Sequence, residues 1–378
     1  MLTLLAIKDR SKKILATIYC LCIRIFKKMK NVLVDFSHYD DICGFGEIAR
    51  NFAPRLAAAD VPDLHFIFVL PRERRGLFGD KVEYIDRDKK KRISHIYDKP
   101  LHLWHATDQQ YNYRLCRKGI LQLLTVHDLN FLHEKSGLHR LRHILQLRHR
   151  VMHSDCVTTI SRYVREELLS FMKGYDKPVP VIYNGITDLS AIQPCRPSFV
   201  RNPSEPFLLA LGQVREKKNF QLLVPMMHYL PGYRLYICGD DHFDYADSLR
   251  KLISEKGEGR VSLVGKISDA EKVWLYSHCA AFMFPSRLEG FGIPVLEAMR
   301  FHCKVFSSRL SSLPEVCGSH AFYWDSFEPS KMADVVSQGL ASWTAEMGDE
   351  AACYSKTFNY DKYTESYIRL YRQMLSMD

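Results

Sequence analysis

The segment Phe284-Pro-Ser-Arg-Leu-Glu-Gly-Phe-Gly-Ile-Pro-Val-Leu-Glu-Ala-Met299 decides the fold. It begins in the apolar run Ala280-Ala-Phe-Met-Phe284, the pattern of a parallel strand covered on both faces. Gly290-Phe291-Gly292 permits a tight turn. From Ile293 to His302 the residues favour a helix, with Pro294 tolerated in its first turn. The unit is therefore strand, glycine turn, helix. Its helix entrance offers unpaired backbone N–H groups and the positive end of the helix dipole, a natural seat for an anion. Glu289 stands before the turn and Glu297 a turn or so into the helix. Ionised carboxylates only accept hydrogen bonds, so they suit sugar and ribose hydroxyls, with the amides left for a phosphate between them. An ordinary helix entry carrying two surface acids is the competing reading.

Outward from this segment, apolar runs alternate with helical patterns, as in doubly wound parallel sheets. The first series has strand candidates at 32–36, 64–70, 101–105, 121–127, 156–160 and 179–183, with helices over 46–59, 138–153 and 162–172. A polar stretch with prolines, Thr187–Pro206, reads as a linker. The second series has strands at 207–211, 234–238, 261–264, 281–284 and 304–307. Its helices fall over 219–229, 245–256, 269–278, 293–301 and 330–341. The division expected is an N-terminal extension (1–30), a first domain (31–190), a second domain (200–355) and a terminal helix (356–378). A chain of 378 residues is long enough for two cores.

Composition narrows the partners. The 47% hydrophobic and 25% charged content is that of a globular protein. Eleven cysteines lack C-x-x-C pairs or zinc-like spacing, so reduced thiols and a cytoplasmic setting are expected. Residues 1–186 hold 32 Lys+Arg against 20 Asp+Glu, whereas residues 187–378 hold 21 against 23. An anionic partner is therefore expected for the first half only. The sequence has no RNP, zinc-finger or Gly-x-x-Gly clamp, which argues against nucleic acid and for an anionic membrane surface or a lipid-diphosphate acceptor. Residues 14–26 are apolar apart from Arg24 and flanked by lysines, too short to span a bilayer. An interfacial helix and an untranslated leader ahead of Met29 are both open readings.

Further motifs lie at strand ends. Leu211-Gly-Gln-Val-Arg-Glu-Lys-Lys-Asn-Phe220 follows a strand, and Lys217 and Lys218 would add point charges for a diphosphate near Gly212. Gly44 and Gly46, after the first strand, could bring amides to a phosphate, or serve only a tight turn. His127 ends a strand beside Asp128, and Asn184-Gly185 forms a turn at the end of the first series. Two stretches imitate metal sites. Asp86-Arg-Asp88 runs into Lys89-Lys-Lys-Arg92 and reads as a charged loop. His139, His143, His149 and His153 are interleaved with Arg140, Arg142, Arg148 and Arg150, which disfavours a cation cage and suggests a basic face.

The two glutamates around Gly-Phe-Gly-x-Pro resemble the E-x7-E signature of retaining glycosyltransferases of family 4, and the other motifs fall in the family's order across residues 31–378. The Lys217-Lys218-Asn219 stretch is similar to the family's Arg-Lys-Asn phosphate motif, although Gln213 stands where many relatives carry arginine, with Arg215 nearby. The resemblance implies an α/β fold of two Rossmann-like domains facing across a cleft (GT-B), the terminal helix packing back on the first. It implies a retaining, metal-independent hexosyltransferase, mannosyltransferase-like, with no cofactor. The donor would be a nucleoside-diphosphate sugar and the acceptor a glycan or lipid-linked saccharide of envelope polysaccharide synthesis. The setting would be cytoplasmic, peripheral to the membrane. By the same resemblance His127 and Glu289 are catalytic. Gly44, Gly46, Asn184, Gly212, Lys217, Lys218, Gly290, Phe291, Gly292 and Glu297 bind the donor, with Glu297 on the ribose diol. A sugar-nucleotide epimerase of the same fold and a non-catalytic membrane-associated binding protein are the alternatives.

Overall fold

The computed structural model describes residues 29–41, 44–86, 99–111 and 119–376. Segment 14–26, Cys43, Arg87, Asp88 and the run Lys89–Arg92 lie outside the described residues. Backbone contacts divide the chain into two compact units. The first takes the chain up to Thr125, then Arg150–Val157 and the residues from Thr364; the second takes Val126–His149 and Thr158–Tyr363.

The first sheet is built from β1 (Lys30–Asp35), β2 (Leu64–Leu70), β3 (Glu83–Asp86), β4 (Leu103–Ala106), β5 (Leu121–Val126) and β6 (Cys156–Thr159). Its spatial order is β3-β2-β1-β4-β5-β6. The second has β7 (Phe207–Leu211), β8 (Arg234–Cys238), β9 (Val261–Gly265), β10 (Ala281–Phe284), β11 (Val305–Ser308) and β12 (Phe322–Trp324), in the order β12-β11-β10-β7-β8-β9. Both orders are the same doubly wound pattern, which reverses between the first and fourth strands of each sheet. β1 pairs in parallel with β2 and β4, and β7 with β8 and β10. The central strands carry apolar residues on both faces because helices cover both: Val32, Leu33 and Val34 in β1 and all of β10 are buried.

Helix limits follow local chemistry. Ser268 and Glu271 form a capping box at the start of helix Asp269–His278, Ser161 caps Arg162–Phe171 by accepting the Val164 N–H, and Gly257 ends Asp244–Lys256. Two sequence expectations need correction. The strand over 179–183 is reduced to a single bridge, Thr159 to Val181, because Pro178 and Pro180 remove the ladder donors on either side. The helix over 219–229 is broken into Phe220–Leu222, Leu223–Met226 and Met227–Tyr229. Pro225 lacks an N–H, and Asn219 at its head is left-handed, with φ 61°. The short edge strands β3 and β12 and the helices Phe131–Glu134, Leu313–Cys317 and Ala345–Ser355 had not been anticipated.

The last helix, Tyr360–Met374, contributes its residues from Thr364 to the first unit. Tyr371 and Tyr367 sit a turn apart and bury their rings. The Tyr371 hydroxyl lies 2.7 Å from His105 Nδ1, and the Tyr367 hydroxyl 2.8 Å from Thr125 Oγ1. Arg372 donates twice to Asp63, at 2.7 Å each. Among the described residues, no helix is long and apolar enough to cross a membrane.

Asp35 ends β1, fully buried. Its Oδ1 accepts the Ser37 N–H at 2.9 Å, while its Oδ2 has no hydrogen-bond partner. Burial, and then the charge of Asp108, push its carboxyl up to about 6 from 3.8. Between those two values the folded chain holds a proton that the unfolded chain has released. Stability is therefore lost as pH rises through that window, by up to about 3 kcal/mol once above it. Asp35→Asn should raise the thermal midpoint at pH 7.5 and give no advantage at pH 4. Midpoint shifts that are equal at both pH values would contradict this.

Candidate functional site

In a doubly wound sheet, ligands bind outside the carboxyl ends of the strands where the order reverses. In the second sheet that place lies between β7 and β10. The loop after β7 is pinned to β8: the Gly212 N–H donates to Cys238 O at 3.0 Å and the Val214 N–H to Asp240 O at 2.8 Å. A Cβ on Gly239 would fall 1.9 Å from the Gly212 carbonyl oxygen, so these strand ends meet at a distance only glycine permits. The single turn Glu216–Lys218 then carries the loop toward β10.

The loop after β10 is tied to it through one atom. The Lys217 carbonyl accepts the Arg287 N–H at 2.7 Å and the Ser286 hydroxyl at 3.1 Å. The two loops thereby hold Lys218 against Glu289, with Nζ 2.6 Å from Oε1 and 4.9 Å from the Phe284 ring centroid. Both side chains are largely buried. A Cβ on Gly212 would lie 3.3 Å from Lys218 Cε, so Gly212 forms the floor under this pair. A buried pair of this kind gains little net stability, because desolvation offsets attraction, but removing one member strands the other charge.

The turn Glu289–Gly292 is held from several sides. The Glu289 N–H donates to Ser311 Oγ at 3.0 Å, and Ser312 Oγ lies 3.0 Å from the carbonyl oxygens of both Glu289 and Phe291. Ser161 Oγ donates to the Gly290 carbonyl at 2.8 Å. A Cβ on Gly290 would stand 2.2 Å from the His127 carbonyl oxygen, so the backbone of His127 packs directly on this turn. Gly292, at φ 105°, heads helix Ile293–Arg300, and Phe291 is buried beside the Tyr183 and Phe358 rings. Asp128 Oδ1 accepts the Asn130 N–H at 3.1 Å and so fixes the loop that follows His127.

Glu297 is buried on that helix with both oxygens engaged. The Tyr276 hydroxyl donates to Oε2 at 3.0 Å and Lys272 Nζ to Oε1 at 3.2 Å. Lys272 and Tyr276 are four residues apart and share a face of helix Asp269–His278. Burial, and then the negative charge of Glu297, push the Tyr276 phenol well above its ordinary value and keep it a neutral donor.

The structure thus brings His127, Gly212, Lys218, Glu289, Gly290, Phe291 and Gly292 into one constellation in the second unit. Lys217 aims elsewhere, its Nζ 3.4 Å from Glu134 Oε1, and Arg215 stacks 4.4 Å from the Phe243 ring centroid. Asn184 is buried in the same unit, its Oδ1 without a hydrogen-bond partner, and Gly185 after it backs onto Tyr360. Gly44 and Gly46 open helix Gly44–Ala58 in the first unit. A Cβ on Gly46 would meet Asp41 O at 1.9 Å, whereas Gly44 faces open space.

Sequence reasoning missed the residues that brace the site: Ser161, Lys272, Tyr276, Ser311, Ser312 and Glu315. Glu315 is the most connected. Its carboxylate accepts the backbone N–H groups of Arg162 (2.7 Å) and Tyr163 (3.0 Å), Arg162 Nε (3.2 Å) and the Tyr183 hydroxyl (2.7 Å). Two of these are free N–H groups at the start of helix Arg162–Phe171, where a negative charge is favoured. Burial and then the bond to Glu315 push the Tyr183 phenol up to about 12. Only the helix-capping Ser161 carried a local signal; the others act through contacts distant in sequence.

Known proteins similar to this chain are glycosyltransferases. Residues 47–188 match the model described as Glycosyltransferase Family 4, and residues 193–356 the model described as Glycosyl transferases group 1. The chain is 29% identical over 202 residues to the serotype-specific mannosyltransferase WbdA of Escherichia coli, covering 48% of this chain and 24% of that protein. It is 29% identical over 206 residues to the O-antigen chain mannosyltransferase RfbU of Salmonella typhimurium, covering 53% of this chain and 56% of that protein. This chain therefore spans about half or less of these relatives' lengths. HepE of Anabaena, solved with UDP-glucose, aligns with a TM-score of 0.65 at 17% identity, over 91% of this chain and 100% of that one. The fold is the glycosyltransferase B fold.

The brace can be checked without any ligand. Hydrogen bonds to a buried charge contribute about 1.5–3 kcal/mol. Glu315→Ala should therefore lower the thermal midpoint by several degrees, and Glu315→Gln, whose carbonyl still accepts, by less. A fall no larger than that of the exposed control Glu166→Ala would contradict the role given to Glu315.

Proposed function

Because the chain belongs to the family 4 glycosyltransferases, we propose that it moves a hexosyl group, mannose or a close relative, from a nucleoside-diphosphate sugar to a glycan or lipid-linked saccharide in envelope polysaccharide synthesis. The mannosyltransferase relatives support the transferred sugar and the setting, and the UDP-glucose complex of HepE supports the donor class. The observation that carries the reading is the Lys218–Glu289 pair, 2.6 Å apart where the order of the second sheet reverses.

In this reading the pair is the resting form of the donor site. The departing diphosphate takes Lys218 Nζ from Glu289, and Glu289, so released, accepts hydroxyls of the transferred sugar. Charge grows on the diphosphate as the glycosidic bond breaks, and a fixed ammonium with oriented amides stabilises that charge most where water is excluded. The amides of Gly290, Phe291 and Gly292 add to it. The ribose diol takes the Glu297 Oε1 position that Lys272 holds, while Tyr276 keeps Oε2 in place. Gly212 leaves room for the phosphates beside Lys218, and Asn184 offers its unpartnered Oδ1. His127, positioned by its own backbone against Gly290, contributes to sugar placement and charge stabilisation.

Retention of anomeric configuration without an enzyme-bound sugar and without a divalent metal completes the reading, Lys218 and the amides supplying the charge. The enzyme would work peripherally at the cytoplasmic face of the membrane. The basic first half supports this, residues 1–186 carrying 32 Lys+Arg against 20 Asp+Glu.

The full chain should be incubated with GDP-mannose and, separately, UDP-glucose, and followed by thermal shift and by sugar release and transfer. One donor should raise the midpoint by several degrees, and Lys218→Ala should reduce turnover about 10²–10³-fold. No stabilisation by any nucleoside-diphosphate sugar, or wild-type turnover in Lys218→Ala, would refute the assignment. Release of epimerised sugar nucleotide without acceptor would identify an epimerase instead.

A further inference from the structure

Helix Gly137–His153 carries an apolar ridge on its outer face. Leu138 is 85% exposed, Leu141 48%, Leu145 59% and Met152 57%. At about 100° per residue these four fall within roughly 60° of arc. Leu147 and Val151, which anchor the helix, are buried on another side. Four large apolar side chains left in water on one helix are not explained by core packing, and a surface ridge of this kind marks an interaction site.

The charge around the ridge identifies the partner. The helix has no Asp or Glu, and it carries Arg140, Arg142, Arg148 and Arg150 with His139, His143, His149 and His153. On the helical wheel Arg148 borders the ridge on one side, and Arg142 and His149 border it on the other. Arg150 is occupied, donating to the carbonyls of Gln109 and Tyr111 and stacking on the Tyr111 ring. Arg140, Arg142 and Arg148 are exposed, the Arg148 guanidinium lying 6.0 Å from the Phe171 ring centroid. An apolar stripe edged by arginines is the pattern of a helix that lies in a bilayer interface, its leucines at acyl depth and its cations on anionic headgroups. A protein partner would need a hydrophobic and strongly acidic groove, whereas an anionic bilayer supplies both properties at once.

We propose that helix Gly137–His153 is the membrane-docking element of this protein, inserting Leu138, Leu141, Leu145 and Met152 into an anionic bilayer while Arg142 and Arg148 bind its headgroups. The proposal rests on the transferase reading only for its biological purpose; the binding is a property of the helix itself.

The test uses the full chain with sedimented vesicles of phosphatidylcholine containing 25% phosphatidylglycerol, against pure phosphatidylcholine. The wild type should bind the anionic vesicles, and more weakly at high salt. The triple variant Leu138→Ser, Leu141→Ser, Leu145→Ser should lose about tenfold or more in binding. Arg142→Gln with Arg148→Gln should lower it and flatten its salt dependence. Circular dichroism and transfer to a soluble acceptor should be unchanged in both variants, which separates failed docking from a failed enzyme assignment. Variants that bind vesicles as well as the wild type would overturn the proposal. So would a wild type that ignores anionic vesicles and forms a dimer abolished by the leucine changes, which would make the ridge an interface between two copies.

Discussion

A lysine and a glutamate sharing one small space constrain the loops at the carboxyl end of the second sheet. Lys218 and Glu289 come from loops after different strands and meet at 2.6 Å with little solvent around them. Such a pair is weak as a source of stability, because desolvation consumes most of the attraction. It is strong as a device for placing charge: loops from two strands hold an ammonium and a carboxylate in direct contact. Much of the nearby backbone serves to keep the two loops at that separation. The Lys217 carbonyl ties them directly, and Gly212 and Gly239 let the strand ends close up beneath.

A second ring of contacts fixes the turn that carries Glu289. Ser311, Ser312 and Ser161 hold its peptide groups, and the His127 backbone fills the space that any side chain at Gly290 would need. Glu315 then fastens the short helix after Ser312 to the start of helix Arg162–Phe171, whose capping residue is the same Ser161 that reaches Gly290. The network is cyclic, so an error in one member is felt at the turn. Such support from surrounding residues holds a charged site to the tolerances that catalysis requires. Glu297 shows the same principle, its carboxylate steadied by Tyr276 and Lys272 from one helix face.

Much of this was legible in the sequence, for identifiable reasons. Strands buried on both faces leave continuous apolar runs, so β1, β2, β7, β8 and β10 could be placed within a residue or two. The glycine turn and its flanking acids are contiguous, so the Glu289–Glu297 element was readable as a unit. Edge strands were not: β3 is short and polar, and β12 has three residues. The prolines around Val179 and Pro225 explain a lost strand and a broken helix, and both were visible as breakers that the apolar pattern outweighed. The bracing residues were illegible because nothing local distinguishes Glu315 or Tyr276 from an ordinary helix residue. Lys217 illustrates the reverse: its sequence position suggested an anion, whereas its side chain in the free chain reaches Glu134.

The proposed activity depends on whether the Lys218–Glu289 pair is the lock that a sugar nucleotide opens. A crystal structure of the full chain soaked with GDP-mannose, or with whichever nucleoside-diphosphate sugar binds, tests this directly. Lys218 Nζ should lie within hydrogen-bond distance of a diphosphate oxygen, with Glu289 turned from the ammonium to the hydroxyls of the sugar. A bound sugar nucleotide elsewhere on the molecule, with Lys218 and Glu289 still joined, would contradict it.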